Sequence, residues 1–171
     1  MIKIHHPPHL FINNQYYFIT ARIYCKQKIF NNDKKKTLLQ NSLKAEFQSG
    51  GYELMAWVVL SNHYYILFKV RHAKSISNRI NYLHGRTSYL INKMENKKGR
   101  QIFQNYWDYC IRNEVDYWKH FNYIHHNPIK HGLTKNLKSY QFSSYDYWIA
   151  KKGTEWMNLC FANYPIVDFT I

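Results

Sequence analysis

The sequence predicts one α+β domain: a ferredoxin-like βαββαβ antiparallel sheet with an added C-terminal helix. Strand-length runs rich in aromatic and β-branched residues alternate with segments whose apolar residues recur at three- and four-residue steps. Two of the runs, side by side in the chain, are joined only by Ser61-Asn62, the chemistry of a tight antiparallel hairpin. The 171 residues, 46% of them hydrophobic, suffice for one well-filled core.

Tyr16 to Tyr24 (YYFITARIY) reads as the first strand. The basic run Lys34-Lys35-Lys36 then opens a helix to Gln48, with Leu38, Leu39, Leu43 and Phe47 on one side and Gly50-Gly51 as the stop. Tyr52–Leu60 and His63–Val70 are the hairpin strands. Ser75 to about Met94 carries Ile76, Ile80, Leu83, Leu90 and Met94 at helical steps and is followed by the loop Asn96-Lys97-Lys98-Gly99-Arg100. Ile102–Ile111 is the fourth strand, and Glu114–His126 a helix broken by Asn127-Pro128. After Ser139 only short elements or loop are expected. The domain is assigned to residues 16–148, with an N-terminal extension (1–15) and a C-terminal tail (149–171).

Lys and Arg number 24 against 10 Asp and Glu, a net charge of +14. Such an imbalance repels itself unless a polyanion is the partner, and nucleic acid is the obvious one. An AT-rich genome would also produce this Asn-, Lys- and Tyr-heavy composition, with the lysines only solvating the surface. Cys25, Cys110 and Cys160 form no C-x-x-C pair, which argues against a disulfide framework or a cysteine zinc site and for a reducing compartment. Without a signal-like or membrane-length apolar run, a cytoplasmic protein with no membrane partner is expected.

Period two places His63, Tyr65 and Leu67 on one face of the third strand, and the apolar set Tyr64, Ile66, Phe68 and Val70 on the face that must meet helices. On the last helix Asn127 lies about 40° from Tyr123, and His126 about 60° to its other side. Two readings stand from spacing alone: an aromatic helix packed on a sheet, or a phenol within one turn of metal-binding side chains.

Several stretches then fall into a recognisable order: the strand ending near Arg22; Gly51-Tyr52 leading to Ser61-Asn62-His63-Tyr64-Tyr65; the helix at Ser75; Tyr106-Trp107-Asp108; and Ile111-Arg112-Asn113-Glu114. Tyr123-Ile124-His125-His126-Asn127-Pro128-Ile129-Lys130-His131-Gly132-Leu133 and Phe142-Ser143-Ser144-Tyr145 complete it. This ordered set, over about residues 16 to 148, resembles the REP-associated tyrosine transposases, relatives of the single-tyrosine (IS200-like) transposases in the His-hydrophobic-His endonuclease superfamily.

The resemblance implies a DNA transposase or site-specific single-strand endonuclease. It would act on single-stranded or hairpin DNA as a monomer or homodimer, through a 5'-phosphotyrosine intermediate and a divalent metal, Mg or Mn. Tyr123 matches the nucleophile, which makes the added helix the catalytic one. His63 matches the first metal histidine, and Asn127 the ligand one turn beyond the tyrosine. The chain departs from the pattern at Tyr65, which stands where the second histidine belongs. Either His126 supplies the missing nitrogen or Tyr65 binds the metal through its phenolate oxygen. Water can also fill an empty ligand position in an oxygen-rich divalent site. The rival reading is a domesticated DNA-binding relative of the same fold with impaired chemistry. Candidate DNA contacts are Arg22, Arg79, Arg86, Arg100, Arg112, Lys119 and Lys130; Trp107, Trp118, Trp148 and Trp156 are expected to pack.

Overall fold

The computed structural model describes residues 12–169, so most of the expected N-terminal extension lies outside the described residues. The strands β1 (Tyr16–Ile23), β2 (Glu53–Val59), β3 (His63–Lys69) and β4 (Phe103–Cys110) alternate with the helices α1 (Asp33–Ser49), α2 (Ile76–Met94) and α3 (Glu114–Lys130) in the expected order. Two short helices follow, α4 (Tyr145–Lys152) and α5 (Thr154–Asn163). The sheet is antiparallel throughout, in the order β2-β3-β1-β4. Among the described residues no helix is long and apolar enough to cross a membrane.

The central strands β1 and β3 are the most densely aromatic and β-branched, and both are buried along most of their length. Alternation divides their side chains between two helical layers. Tyr17, Ile19, Tyr64, Ile66 and Phe68 form one face, where Phe68 meets Phe47 of α1 (ring centres 4.7 Å apart) and the Tyr64 hydroxyl bonds His84 Nε2 of α2 at 2.8 Å. Phe18, Thr20, His63, Tyr65 and Leu67 form the other, and α3 lies across it, with His120 4.6 Å and Tyr123 6.4 Å from Phe18 between ring centres. Sequence pattern marked only the first face as helix-covered; α3 covers the second because it is apolar on several sides, burying Phe121, Tyr123, Ile124 and Pro128.

The predicted break at Asn127-Pro128 does not occur, and α3 continues to Lys130. Proline costs a helix the hydrogen bond to the residue four before it, but here only one turn remains to be closed. The end comes at Gly132 (φ +64°), where Leu133 N–H donates to Pro128 O at 2.8 Å and Gly132 N–H to Ile129 O at 2.9 Å. This is a glycine-dependent left-handed cap. The C-terminal part is also more ordered than expected: α4 crosses residue 148, and Trp148 stacks on Trp156 with ring centres 5.3 Å apart.

Two lysines of the basic run are committed to the fold. Lys35 is buried in an ion pair with Glu95, and Lys36 lies over the rings of Tyr140 and Phe142 at 5.1 and 5.0 Å. Burial also governs the histidines. His84 and His125 are both pushed down to about 3, by desolvation, and so stay neutral. His125 Nδ1 faces the Phe121 carbonyl at 2.9 Å and must carry the proton, leaving Nε2 to accept from Ser144 Oγ at 2.7 Å.

In the unfolded chain these imidazoles titrate near 6.5, so between there and about pH 3 the unfolded state holds more protons. Stability therefore rises with pH across that window and is lost as acid is added. Thermal unfolding midpoints are expected to hold level above pH 7 and to fall steadily from pH 6.5 to 4. A flat profile across that range would contradict the buried neutral imidazoles.

Candidate active site

The Ser61-Asn62 turn, closed by Leu60 N–H donating to His63 O at 2.9 Å, starts β3 at His63. The β1 register then sets Arg22 beside His63 and Thr20 beside Tyr65 on the α3 side of the sheet. Across from them, α3 presents Tyr123 and Asn127, residues four apart that share a face, and His131 caps its end four residues further on. The helix begins at Asn113, whose side chain accepts from Asp116 N–H at 2.9 Å.

In this seam the hydroxyls of Tyr65 and Tyr123 lie 3.2 Å apart, with ring centres at 5.3 Å. The His63 ring centre lies 5.1 Å from that of Tyr65. Tyr65 thus touches both Tyr123 and His63. Tyr123 is only 3% exposed. Its ring is bounded by Lys130 Nζ at 5.1 Å and Phe169 at 5.1 Å, and Lys130 is paired with Asp168 at 2.6 Å.

Two polar atoms in the seam are buried without a hydrogen-bond partner: His63 Nε2 and Asn127 Oδ1. Asn62 donates through Nδ2 to Lys26 O, so its Oδ1, 2.6 Å from His63 Nδ1, is the acceptor. His63 therefore carries its proton on Nδ1 and keeps a lone pair on Nε2. Asn127 donates through Nδ2 to Tyr123 O at 2.7 Å, which leaves its oxygen free. Unmatched buried acceptors are rare in folded proteins. These two are of the atom types that bind a divalent cation, so the residues fit the metal that the resemblance implies. Among the described residues no cluster of three His, Cys, Asp or Glu could hold a metal by itself.

A pocket of about 190 Å³ opens at the His63 end of the seam, lined by Arg22, Lys26, Asn62, His63, Tyr65 and His131. Burial, then the positive charge of His131, Arg22 and Lys130, holds His63 down to about 3, so its imidazole is neutral. Burial, and next the hydrogen bond with Tyr123, pushes the Tyr65 hydroxyl above its ordinary value, which works against a phenolate ligand there.

His126 is partly exposed and lies near Asp168 and Lys130. The second imidazole beside His63 is His131, at 4.8 Å between ring centres. Sequence reading missed it because a helix ending at Pro128 leaves residue 131 in a loop; the signal was the four-residue step from Tyr123 through Asn127. Of the seven basic candidates, Arg22 lines this pocket. Arg79 pairs with Glu46 at 2.9 Å, Arg100 pairs with Glu95, and Arg112 lies 5.4 Å from the Tyr109 ring centre. Arg86 is exposed on α2, and Lys119 is half-buried on α3.

A family model described as "Transposase IS200 like" matches residues 11–127. A REP-associated tyrosine transposase of Escherichia coli (strain K12) is 28% identical over 102 residues, 58% of this chain and 58% of that protein's length. A protein of Haemophilus influenzae (strain ATCC 51907 / DSM 11121 / KW20 / Rd) named for the same group is 24% identical over 139 residues, 75% of this chain and 78% of its own. The solved structure of a REP-associated tyrosine transposase bound to a REP hairpin shares the fold, with a TM-score of 0.73 and 22% identity over 98% of this chain and 96% of that one. The chain therefore belongs to the IS200-like transposase family, with REP-associated tyrosine transposases as its relatives.

Proposed function

We propose that this transposase cuts and rejoins single-stranded or hairpin DNA in the cytoplasm, with Tyr123 as nucleophile. The observation that carries the reading is the Tyr123 hydroxyl in the same buried seam as His63 and the unpartnered oxygen of Asn127. The solved relative bound to a REP hairpin supports a hairpin as partner.

In this reading the Tyr123 oxygen attacks a backbone phosphorus, one P–O bond forms as another breaks, and the leaving 3'-oxygen takes up a proton. The phosphodiester energy is kept in the tyrosine link, so a second 3'-hydroxyl can displace the tyrosine and rejoin a strand. Arg22 neutralises phosphate at the pocket, and Asn127, tied to the Tyr123 carbonyl, fixes its own oxygen relative to the nucleophile's turn of helix. A divalent cation, Mg or Mn, held by His63 and Asn127 would polarise the phosphate when bound.

The test is a covalent protein–DNA adduct on a 3'-labelled single-stranded or hairpin oligonucleotide, in the presence of Mg or Mn. A tyrosine-linked 5'-phosphate supports the reading. Binding without an adduct in either metal replaces it with the second reading, a DNA-binding relative that has lost its chemistry, which Tyr65 at the second histidine position and the buried Tyr123 favour. Preference for RNA over DNA hairpins of matched sequence would overturn both.

Arg22→Ala is expected to weaken DNA binding across sequences and to lower the slope of log affinity against log salt by about 0.7 to 0.9, the share of one phosphate contact. An unchanged slope would remove Arg22 from the interface.

A further inference from the structure

The seam at His63 holds more ligand chemistry than the matched motif predicts. We propose that His131 joins His63 and Asn127 as a third protein ligand of the divalent-cation site, replacing the imidazole absent at Tyr65, and that its two imidazoles make the site prefer a transition-metal ion to Mg. The inference rests on the reading of this seam as a cation site.

Three observations bring His131 there. Its ring centre is 4.8 Å from that of His63, and both rings line the same pocket of about 190 Å³. Its backbone is fixed by the end of α3: His131 N–H donates to Asn127 O at 2.9 Å, and Gly132 turns the chain immediately after it. The helical repeat keeps His131 within about 40° of Asn127, the residue with the buried unpartnered oxygen. The ring thus sits at an anchored helix terminus, within one turn of one orphaned acceptor and beside the other.

Of the two alternatives at the site, neither ring lies as close to that of His63 as the His131 ring does, and one is already bonded. The Tyr65 hydroxyl bonds that of Tyr123, and His126 lies near Asp168 and Lys130. A set of two imidazole nitrogens and one amide oxygen suits Mn, Co, Ni or Zn, whereas Mg favours oxygen ligands in a near-ideal octahedron. Without a carboxylate, and with Arg22 and Lys26 in the pocket, affinity is set by ligand type more than by charge.

The test is titration of Co and of Mg into the full chain without DNA, followed by calorimetry and, for Co, by its visible absorption. Wild type is expected to bind Co at least tenfold more tightly than Mg. His131→Ala and His63→Ala are each expected to weaken Co binding by tenfold or more and to change its spectrum, and His126→Ala to leave both as they were. His131 is exposed, so its truncation spares the core. His131→Asn serves as a second variant that suits a helix end. If His131→Ala and His131→Asn bind Co like wild type while His63→Ala does not, the cation site stands and the role of His131 is overturned. If wild type binds neither ion, the proposal and the metal part of the functional reading fall together, and the adduct experiment then decides between strand cutting and simple DNA binding.

Discussion

Tyr123→Phe is expected to abolish covalent attachment to DNA completely while leaving a folded protein that still binds it. The substitution removes one oxygen, and the bond lost is the 3.2 Å contact with Tyr65, longer than a strong hydroxyl hydrogen bond. A bond of that kind contributes about 1 kcal/mol. The ring keeps its edge contacts with Tyr65, Phe18 and Phe169, so denaturant midpoints should shift little. Gel mobility of a labelled oligonucleotide under denaturing conditions reads the adduct, and binding under native conditions reads the grip. An adduct that survives in the variant would mean that another residue is the nucleophile.

Phe18→Ala is expected to carry the largest cost in stability, about 3 to 5 kcal/mol, the range for truncating a fully buried phenylalanine. Phe18 is 0% exposed and is the hub on which α3 rests: the rings of His120, Tyr65, Phe169, Tyr123 and Trp107 all lie within 6.4 Å of its own, centre to centre. A loss of that size is a large share of the roughly 5 to 15 kcal/mol that holds a domain folded. The cavity would open directly beneath the two phenols, so adduct formation should fall even where the variant remains folded. Urea unfolding checks the first effect, and a change below about 1 kcal/mol would show that α3 does not depend on this face.

The parts of the site that were legible in the sequence are those fixed by local periodicity. Alternation along β3 put His63 and Tyr65 on one face, and helical phase put Tyr123 beside Asn127. The ferredoxin-like order followed from the hairpin at Ser61-Asn62 and the alternation of strand and helix patterns. What was not legible depends on partners distant in the chain. A proline at position 128 reads as a helix end unless it is known that only one turn remains and that Gly132 caps it. That misreading hid His131. The sequence showed Lys35 and Lys36 only as part of a basic run opening a helix, because Glu95, Tyr140 and Phe142, which occupy them, are far away in the chain. The buried state of Tyr123 likewise depends on Phe169, brought back by α5 and the segment after it.

The strands that carry His63, Tyr65 and Arg22 are hydrogen-bonded along both edges and roofed on both sides, so their amide protons should exchange only when the whole molecule opens. The floor of the candidate site is therefore as stiff as anything in the protein. Under the proposed function a rigid floor calls for a pliant guest: unpaired nucleotides, which swivel about their backbone at little cost, would adapt to it, whereas an intact double helix would have to bend or melt first.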